Sequence, residues 1–514
     1  MEQLLENKDR ISRAPDAEEY RILRCAETAE QFEAIKARAA GKKVVVVQGL
    51  GFVGSAVAAV IASASGTNGN PAWFVIGVDQ PTASGWWKVA RMNQGRAPVT
   101  SPDSEFERLV QQGVHVTRNL CATAAEEAYA LADVIVVDVH LDVIDRHVQN
   151  GAAVELNLSA FESAVRTVGR WMRSDALVLV ETTVPIGACE KVVLPVLQAE
   201  RAKRGIGEPV SLAHAYERVM PGPRYIASIK QFWRSFSGID VASADRARAF
   251  LESFTDFSEF PPWQLGDTTS SEFGKLLENS YRAANIAFMH EWTLFAESTG
   301  VNLWEVVDSI RVRKGTHDNM RYPGFGVGGY CLTKDSLLAQ WSASTLFQTD
   351  VQLGVTLAAL RINHDMPLHA LGLVRDLAGG TLSGLHIVLA GIAYVPDVVD
   401  TRNSPAEVLV DSALEEGATV SVHDPCVSEW EDRPAVTVGQ DWSECLSAGD
   451  AVVFAVGHSA YKRLQPSDFP RPMLIVDANN VISDALARDL HAKGCRVLGV
   501  GKGHWRKWGL QHKQ

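Results

Sequence analysis

The run Val44-Val45-Val46-Val47, followed after Gln48 by Gly49-Leu50-Gly51-Phe52-Val53-Gly54 and the small-residue stretch Ser55 to Ala64, constrains the fold more than any other feature of the chain. The apolar run reads as a buried strand, the glycines as a tight turn, and the stretch after them as a helix packed close to that strand. In such a unit the first glycine makes the turn, the second lets a pyrophosphate approach the backbone, and the third lets helix and strand touch. The helix N-terminus adds amide donors and a favourable dipole. Gly49, Gly51, Phe52, Val53 and Gly54 are therefore read as a dinucleotide cradle. The next apolar run, Phe74 to Val78, ends on Asp79, 25 residues beyond Gly54. An acid there accepts hydrogen bonds from the adenosine ribose and repels a 2′-phosphate, which favours NAD over NADP. The bland alternative is a glycine turn between packed elements with no ligand.

Further apolar runs at Val114 to Thr117, Val134 to Val139 and Leu177 to Val180 alternate with helical stretches, which predicts a parallel sheet with helices on both faces. The fold class is α/β, with a Rossmann-type NAD domain over residues 42–210. Residues 1–41, rich in Glu, Arg, Lys and Ala, are expected to form a helical extension ahead of it. Over 211–365 the apolar period becomes helical, most clearly from Ser271 to Thr299, which predicts an all-helical central domain built on one long helix. Beyond Pro367 strands return at His386 to Ala390, Thr419 to His423, Ala451 to Val456, Leu474 to Asp477 and Arg496 to Val500, so residues 366–514 read as a second Rossmann-like domain.

Composition narrows the function. Lys and Arg number 49 against 61 Asp and Glu, a net charge of −12 with no long basic block, so nucleic acid is not the expected partner. The seven Cys are scattered and include no C-x-x-C pair. They read as reduced thiols of a cytoplasmic protein, with neither a disulfide frame nor a metal site. No membrane span is expected, because glycines and Gln48 interrupt Val44 to Ala62.

The segment Pro323-Gly324-Phe325-Gly326-Val327-Gly328-Gly329-Tyr330-Cys331-Leu332-Thr333-Lys334-Asp335 places four glycines, a thiol, a cation and an acid within thirteen residues. A lone cysteine is most often a buried, inert side chain. Here a flanking lysine can lower the thiol pKa, and a nearby carboxylate can act as general base on water.

At these residues the chain resembles the UDP-glucose/GDP-mannose dehydrogenase family, in order from about Lys42 to Asn480. Besides the two glycine segments, the matching stretches are Asn93 to Pro98, Glu181-Thr182-Thr183-Val184-Pro185-Ile186-Gly187, Glu217-Arg218-Val219-Met220-Pro221-Gly222, Glu272 to Asn279, Gly391 to Tyr394 and Asp400 to Pro405. The resemblance implies oxidation of a nucleotide sugar at C6, from alcohol through aldehyde to carboxylate, with two NAD used in turn. It implies Cys331 as the nucleophile that forms a thiohemiacetal and then a thioester. Lys275 and Asn279, one helical turn apart, would stabilise oxyanions, and Asp335 or Glu217 would orient or activate water. Thr183 and Lys334 are implied at the cofactor. Glu217, Arg218, Lys275, Asn279, Tyr322, Gly324, Phe325, Gly328 and Arg402 are implied at the substrate, and Arg313 at the active site of a neighbouring subunit. A homodimer or higher homo-oligomer is expected.

Bland readings stand beside these. Lys275 suits a solvated helix face, Glu217 and Arg218 suit a surface ion pair, Asp335 suits a helix cap, and Arg402 suits a salt bridge with Asp397 or Asp400. The chain also departs from the family where Val139-His140-Leu141-Asp142 stands in place of Val-Pro-Thr-Pro and where Val395 replaces an aromatic-Lys pair. The Gly-Val-Gly-Gly loop resembles members acting on UDP sugars, so UDP-glucose or a UDP-N-acetylhexosamine is expected ahead of GDP-mannose. The competing readings are a single-step NAD dehydrogenase of the 3-hydroxyacid or 6-phosphogluconate type, and a non-catalytic nucleotide-sugar-binding protein.

Overall fold

The computed structural model describes residues 10–66, 68–146, 153–220, 222–430 and 432–508. They divide into two units, the first made of residues up to 144, 153–276 and 338–351, the second of 145–152, 277–337 and 352–514.

The first unit is built on an eight-stranded sheet. Its strands are β3 (Val44–Gln48), β4 (Phe74–Val78), β5 (Leu120–Thr123), β6 (Val134–Val137), β7 (Leu177–Val180), β8 (Ser211–Tyr216), β9 (Ser235–Gly238) and β10 (Trp263–Gln264). They lie in the order β10-β9-β8-β7-β6-β3-β4-β5, and β3 to β8 pair in parallel. Alternation along β3 explains why both faces are covered. Val45 and Val47 enter one apolar cluster and Val44 and Val46 the other, all essentially without exposure. Each valine so buried is worth roughly 1.5–3 kcal/mol. The chain order reverses between β3 and β6, the switch point at whose carboxyl edge an open α/β sheet binds ligands. Helix α2 (Phe52–Ser63) leaves that edge directly after the glycine turn.

Three expectations need correction here. The sheet does not stop at residue 210, because β8, β9 and β10 extend it to Gln264; their sequences, Ser-Leu-Ala-His-Ala-Tyr and Ser-Phe-Ser-Gly, are too small and polar to show as apolar runs. The central region is accordingly not helical from 211. Residues 114–117 are not a strand: 112–116 form a helical turn that leaves Val116 exposed, and the strand is Leu120–Thr123. The segment ahead of residue 42 is not wholly helical. Strands β1 (Ile11–Arg13) and β2 (Glu19–Arg21) form an antiparallel hairpin before helix α1 (Cys25–Ala39). Pro15 and the left-handed Ala17 make its turn, and Ser12 and Tyr20 alternate inward. Residues 1–9 of the expected extension lie outside the described residues.

Helix α3 (Trp86–Asn93) follows β4, and the long helix α4 (Thr268–Thr299) begins in the first unit and passes into the second at residue 277. Helix α5 (Asp335–Trp341) opens immediately after the thiol loop, and α6 (Gly354–Ala378) runs straight through Pro367. The expected boundary at 365/366 therefore falls inside a helix. A proline removes one backbone bond, and the helix continues because Ala370, Leu371, Val374 and Leu377 pack into the core of the second sheet. That sheet is parallel, ordered β13-β12-β11-β14-β15-β16, with β11 (His386–Ala390), β12 (Thr419–His423), β13 (Val438–Gly439), β14 (Ala451–Phe454), β15 (Leu474–Asp477) and β16 (Arg496–Gly499). No helix among the described residues is long and apolar enough to cross a membrane.

Candidate functional site

In the first unit the three glycines of the turn do three different jobs. Gly49 has φ +94°, and a Cβ there would stand 2.5 Å from the carbonyl oxygen of Asp138. Gly54 lies so close to the turn that a Cβ would reach 2.1 Å from the Gly49 carbonyl oxygen. Gly51 differs, because a Cβ there would meet nothing within 4 Å. The backbone at Gly51 thus faces open space, at the N-cap of a twelve-residue helix whose first amides have no intrahelical acceptors. This is the opening that a pyrophosphate needs, and the donors of Phe52 and Val53 flank it. Asp79 stands at the end of β4. Its carboxylate accepts the amides of Leu50 at 3.0 Å and Gln80 at 2.8 Å, and Lys88 lies 3.4 Å away. The residues present fit a dinucleotide.

A row of acids follows on the same edge. Val137 pairs with Val180 and Val180 with His214, so Asp138, Glu181 and Glu217 succeed three neighbouring strand ends. Glu181 is ion-paired with buried Arg234. Burial, reinforced by the charges of Glu181 and Glu217, pushes the Asp138 carboxyl well above the usual range, and Asp138 Oδ2 has no hydrogen-bond partner among the described residues. Burial raises Glu181 as well, against the pull of Arg234. Lys275, 6% exposed, donates to the Glu217 carbonyl at 2.9 Å and lies 3.7 Å from its carboxylate. Arg218 turns elsewhere, donating to the Tyr216 hydroxyl at 3.1 Å and to the Trp233 carbonyl. The solvated reading of Lys275 and the Glu217–Arg218 surface pair both fail on these contacts. Thr183 is half-buried in the turn after β7, and that turn is fixed by Glu272, which accepts the amides of Gly187 at 2.5 Å and Cys189 at 2.8 Å.

In the second unit the thiol loop is held from several sides. The Cys331 carbonyl accepts the amides of Lys334 at 3.2 Å and Asp335 at 3.0 Å, which folds Cys331 against the start of α5. Asp335 is fully buried, and its two oxygens are claimed separately, one by Asn279 Nδ2 at 2.6 Å and the other by Lys334 Nζ at 3.2 Å. The Lys334 ammonium also lies over the Tyr330 ring, so this cation compensates Asp335 inside the unit. The Gly329 amide donates to the Arg402 carbonyl at 3.1 Å, and Cβ atoms on Gly328 or Gly329 would strike Tyr394 at 2.7 or 2.8 Å. The glycines are thus required for the loop to lie on the 394–403 segment. Arg402 forms a two-pronged pair with Asp400. Burial opposes its charge, but Asp400, Tyr394 and Cys331 together raise its pKa.

Other expected residues fall into different surroundings. Phe325, expected at the substrate, is a core side chain at 2% exposure, because an aromatic ring between glycines has an apolar cluster beneath it to fill. The Tyr322 hydroxyl donates to Asp308 at 2.6 Å and its ring stacks on Trp304. A Cβ on Gly324 would meet only Asn479 Oδ1, at 3.8 Å. Arg313 is exposed in the turn after Arg311.

Three domain models of one family match this architecture in order. They are described as the UDP-glucose/GDP-mannose dehydrogenase family NAD binding domain over residues 42–230, its central domain over 269–365 and its UDP binding domain over 388–484. The chain belongs to the UDP-glucose/GDP-mannose dehydrogenase family. It is thus an NAD-dependent nucleotide-sugar dehydrogenase. A UDP-N-acetyl-D-mannosamine dehydrogenase of Pyrococcus horikoshii is 29% identical over 89% of this chain and 99% of its own length. The solved NDP-N-acetyl-D-galactosaminuronic acid dehydrogenase of Methanosarcina mazei Go1 superposes with a TM-score of 0.75 at 27% identity, covering 92% of this chain and 98% of that one. A UDP-glucose dehydrogenase from Pyrobaculum islandicum gives 0.74 at 25%, covering 90% and 99%.

Sequence reading of this dehydrogenase passed over Asp138 and Arg234 and assigned Glu181 no role. An acid standing directly after the apolar run Val134 to Val137 was the available signal for Asp138. Arg234 had none, since strand β9, which it directly precedes, does not show as an apolar run.

Proposed function

We propose that this dehydrogenase carries out a four-electron oxidation of a UDP sugar at C6, alcohol to carboxylate, by way of a thioester on Cys331. The observation that carries the reading is the clasp of Asp335 by Asn279 and Lys334, on a residue whose own amide is bonded to the Cys331 carbonyl. Such a fully satisfied buried carboxylate holds neighbouring groups in fixed orientation. NAD, when bound, accepts a hydride at each of the two oxidations.

The remaining chemistry falls to side chains. In the first oxidation the alcohol passes its proton to a water held by Lys275 and Asn279, and its oxygen carries developing negative charge. The ammonium of Lys275, fixed by Glu217, and the amide of Asn279, fixed by Asp335, are donors suited to that oxygen. The aldehyde then has to regain a tetrahedral carbon before it can be oxidised again. Addition of the Cys331 sulfur provides this, and the second oxidation leaves an acyl group on sulfur. Water opens the thioester and frees the thiol. Glu217 and Asp335 are the two candidate bases for that water, and of these Asp335 has its two oxygens committed to Asn279 and Lys334, which suits it to orientation. Arg402, paired with Asp400 beside the glycine loop, suits the diphosphate of the substrate through a planar, two-pronged contact.

A UDP-N-acetylhexosamine is favoured as substrate. The relatives named UDP-N-acetyl-D-mannosamine dehydrogenase and the Gly326-Val327-Gly328-Gly329 form of the loop support it. The single-step reading has no use for the second α/β domain that this chain possesses. A homodimer is supported by an exposed apolar stripe on α4, where Leu277, Tyr281, Phe288, Trp292 and Phe295 recur at spacings of three, four and seven. Arg313 would serve such a partner's site. Seven unbridged cysteines support a reducing compartment such as the cytoplasm.

The test is a panel of nucleotide sugars assayed for NADH formation. The reading expects UDP-N-acetylhexosamines to react best and to give about two NADH per sugar. One NADH with aldehyde accumulating contradicts it.

A further inference from the structure

The hairpin ahead of the nucleotide-binding domain is fastened to the segment that carries Asp79. Ser12 on β1 is completely buried, and its hydroxyl is used twice: it accepts the amide of Trp87 at 2.9 Å and donates to the carbonyl of Ala83 at 2.7 Å. Arg10 donates to the carbonyl of Pro81. Arg91 on α3, 5% exposed, reaches back to the Tyr20 hydroxyl at 3.1 Å and to the carboxylate of Asp16. Arg96, just past α3, pairs with Glu18 at 2.6 Å. Every one of these contacts joins residues 10–20 to residues 81–96, the stretch that follows β4. A buried guanidinium is costly unless it is paired and hydrogen-bonded, so Arg91 makes the hairpin's position a condition of the fold there.

Asp79 opens the same stretch. One carboxylate oxygen accepts the Gln80 amide at 2.8 Å and the other accepts the Leu50 amide at 3.0 Å, which ties the loop to the glycine turn. The loop also folds back on the carboxylate, since a Cβ on Gly85 would come within 2.9 Å of Asp79 Oδ1 and 2.5 Å of the Gln80 carbonyl oxygen. The connection therefore runs from Ser12 and Arg10, through the backbone of Pro81, Ala83 and Trp87, to Asp79, and from Asp79 to Leu50. A carboxylate that must accept ribose hydroxyls and repel a 2′-phosphate discriminates only while it is held in place.

We infer that the hairpin of residues 11–21 is a positioning element for the adenosine end of the cofactor, which fixes Asp79 from outside and thereby sets the affinity for NAD and its preference over NADP. None of its side chains has to touch the cofactor. The inference rests on the reading of Asp79 as the ribose acid, and the same experiment tests the two separately.

Ser12→Ala, Arg10→Ala and Asp79→Ala are made in the full-length chain, and NAD and NADP are titrated with the nucleotide sugar saturating. Thermal stability, kcat and the sugar KM are followed alongside. Ser12→Ala is expected to raise the NAD KM roughly five- to tenfold, the scale of one lost hydrogen bond, and to narrow the NAD to NADP ratio. Arg10→Ala, at an exposed position that does not endanger folding, should move both in the same direction by about twofold or more. In both variants kcat and the sugar KM should stay at wild-type values. If Asp79→Ala weakens NAD while both hairpin variants keep the wild-type NAD KM and cofactor ratio, the positioning role is overturned and the ribose acid stands. A fall in melting temperature alone overturns it equally. If Asp79→Ala leaves NAD binding unchanged, the ribose assignment fails, and the positioning role fails with it.

Discussion

Asn279 donates a hydrogen bond of 2.6 Å to Asp335, and this contact fixes a side chain of the long helix α4 to the first residue of α5, four positions after Cys331. It converts two residues that each suit a bland role, a helix-face amide and a cap, into a matched pair. Asp335→Asn keeps one acceptor oxygen but turns an NH2 toward either Asn279 or Lys334, both of which are donors, and removes the charge that compensates Lys334. It should lower kcat by about a hundredfold or more and stability by roughly 1–3 kcal/mol. Steady-state kinetics and chemical denaturation measure the two effects, and wild-type kcat in a folded variant would remove Asp335 from the machinery.

The glycine turn yields a contrast between two alanine substitutions. At Gly51 a methyl group meets nothing within 4 Å and φ is −72°, which any residue adopts. Gly51→Ala should therefore fold with wild-type stability and lose NAD affinity by about tenfold or more, because the methyl group enters the space a pyrophosphate needs. At Gly54 the methyl group would lie 2.1 Å from the Gly49 carbonyl oxygen. Gly54→Ala should cost roughly 1–3 kcal/mol of stability through overpacking, whether NAD is present or not. Calorimetry and cofactor titration on both variants decide it, and equal behaviour of the two would contradict the division of labour among the glycines.

Glu272 links stability to pH. Burial pushes its carboxyl up to about 7, although the amides of Gly187 and Cys189 favour the ionised form. With the folded pKa above the unfolded one, the native state binds more protons between about pH 4.5 and pH 7, so stability falls as pH rises through that window. The fall attributable to this group is at most about 3 kcal/mol. Glu272→Gln should be less stable than wild type at pH 5, where the native acid is protonated and well packed, and should show a shallower decline toward pH 8. The decline will not vanish, since Asp138 and Glu181 are also raised by burial. Melting temperatures across pH 5 to 8 test this, and identical slopes would refute it.

What was legible in the sequence follows from which physical signals are local. Strand β3, the glycine turn and α2 announce themselves because an unbroken valine run and a glycine pattern have one economical fold. The second sheet was equally readable, since β11, β12 and β15 match their apolar runs residue for residue. Val114 to Thr117 misled because Val-His-Val alternates like a strand, while a single helical turn is too short to reveal its period. β8 and β9 were invisible because Ala213, Ala215 and Ser237 are buried by their neighbours rather than by their own hydrophobicity. In the site, Lys275, Asn279, Cys331 and Asp335 were named because their motifs are contiguous. The acid row of Asp138 and Glu181 with Arg234 depends on strand register and was beyond a linear reading. Phe325 shows the converse, since a conspicuous aromatic in a glycine loop turned out to be core.

The covalent step is tested most directly by mass spectrometry of enzyme quenched during turnover with nucleotide sugar and NAD, with peptide mapping of the thiol loop. The account predicts a sugar-derived adduct on the peptide containing Cys331, and in Cys331→Ser either no carboxylate product or a trapped ester on the serine. Wild-type enzyme that never carries an adduct, together with carboxylate production at full rate by Cys331→Ser, would contradict it.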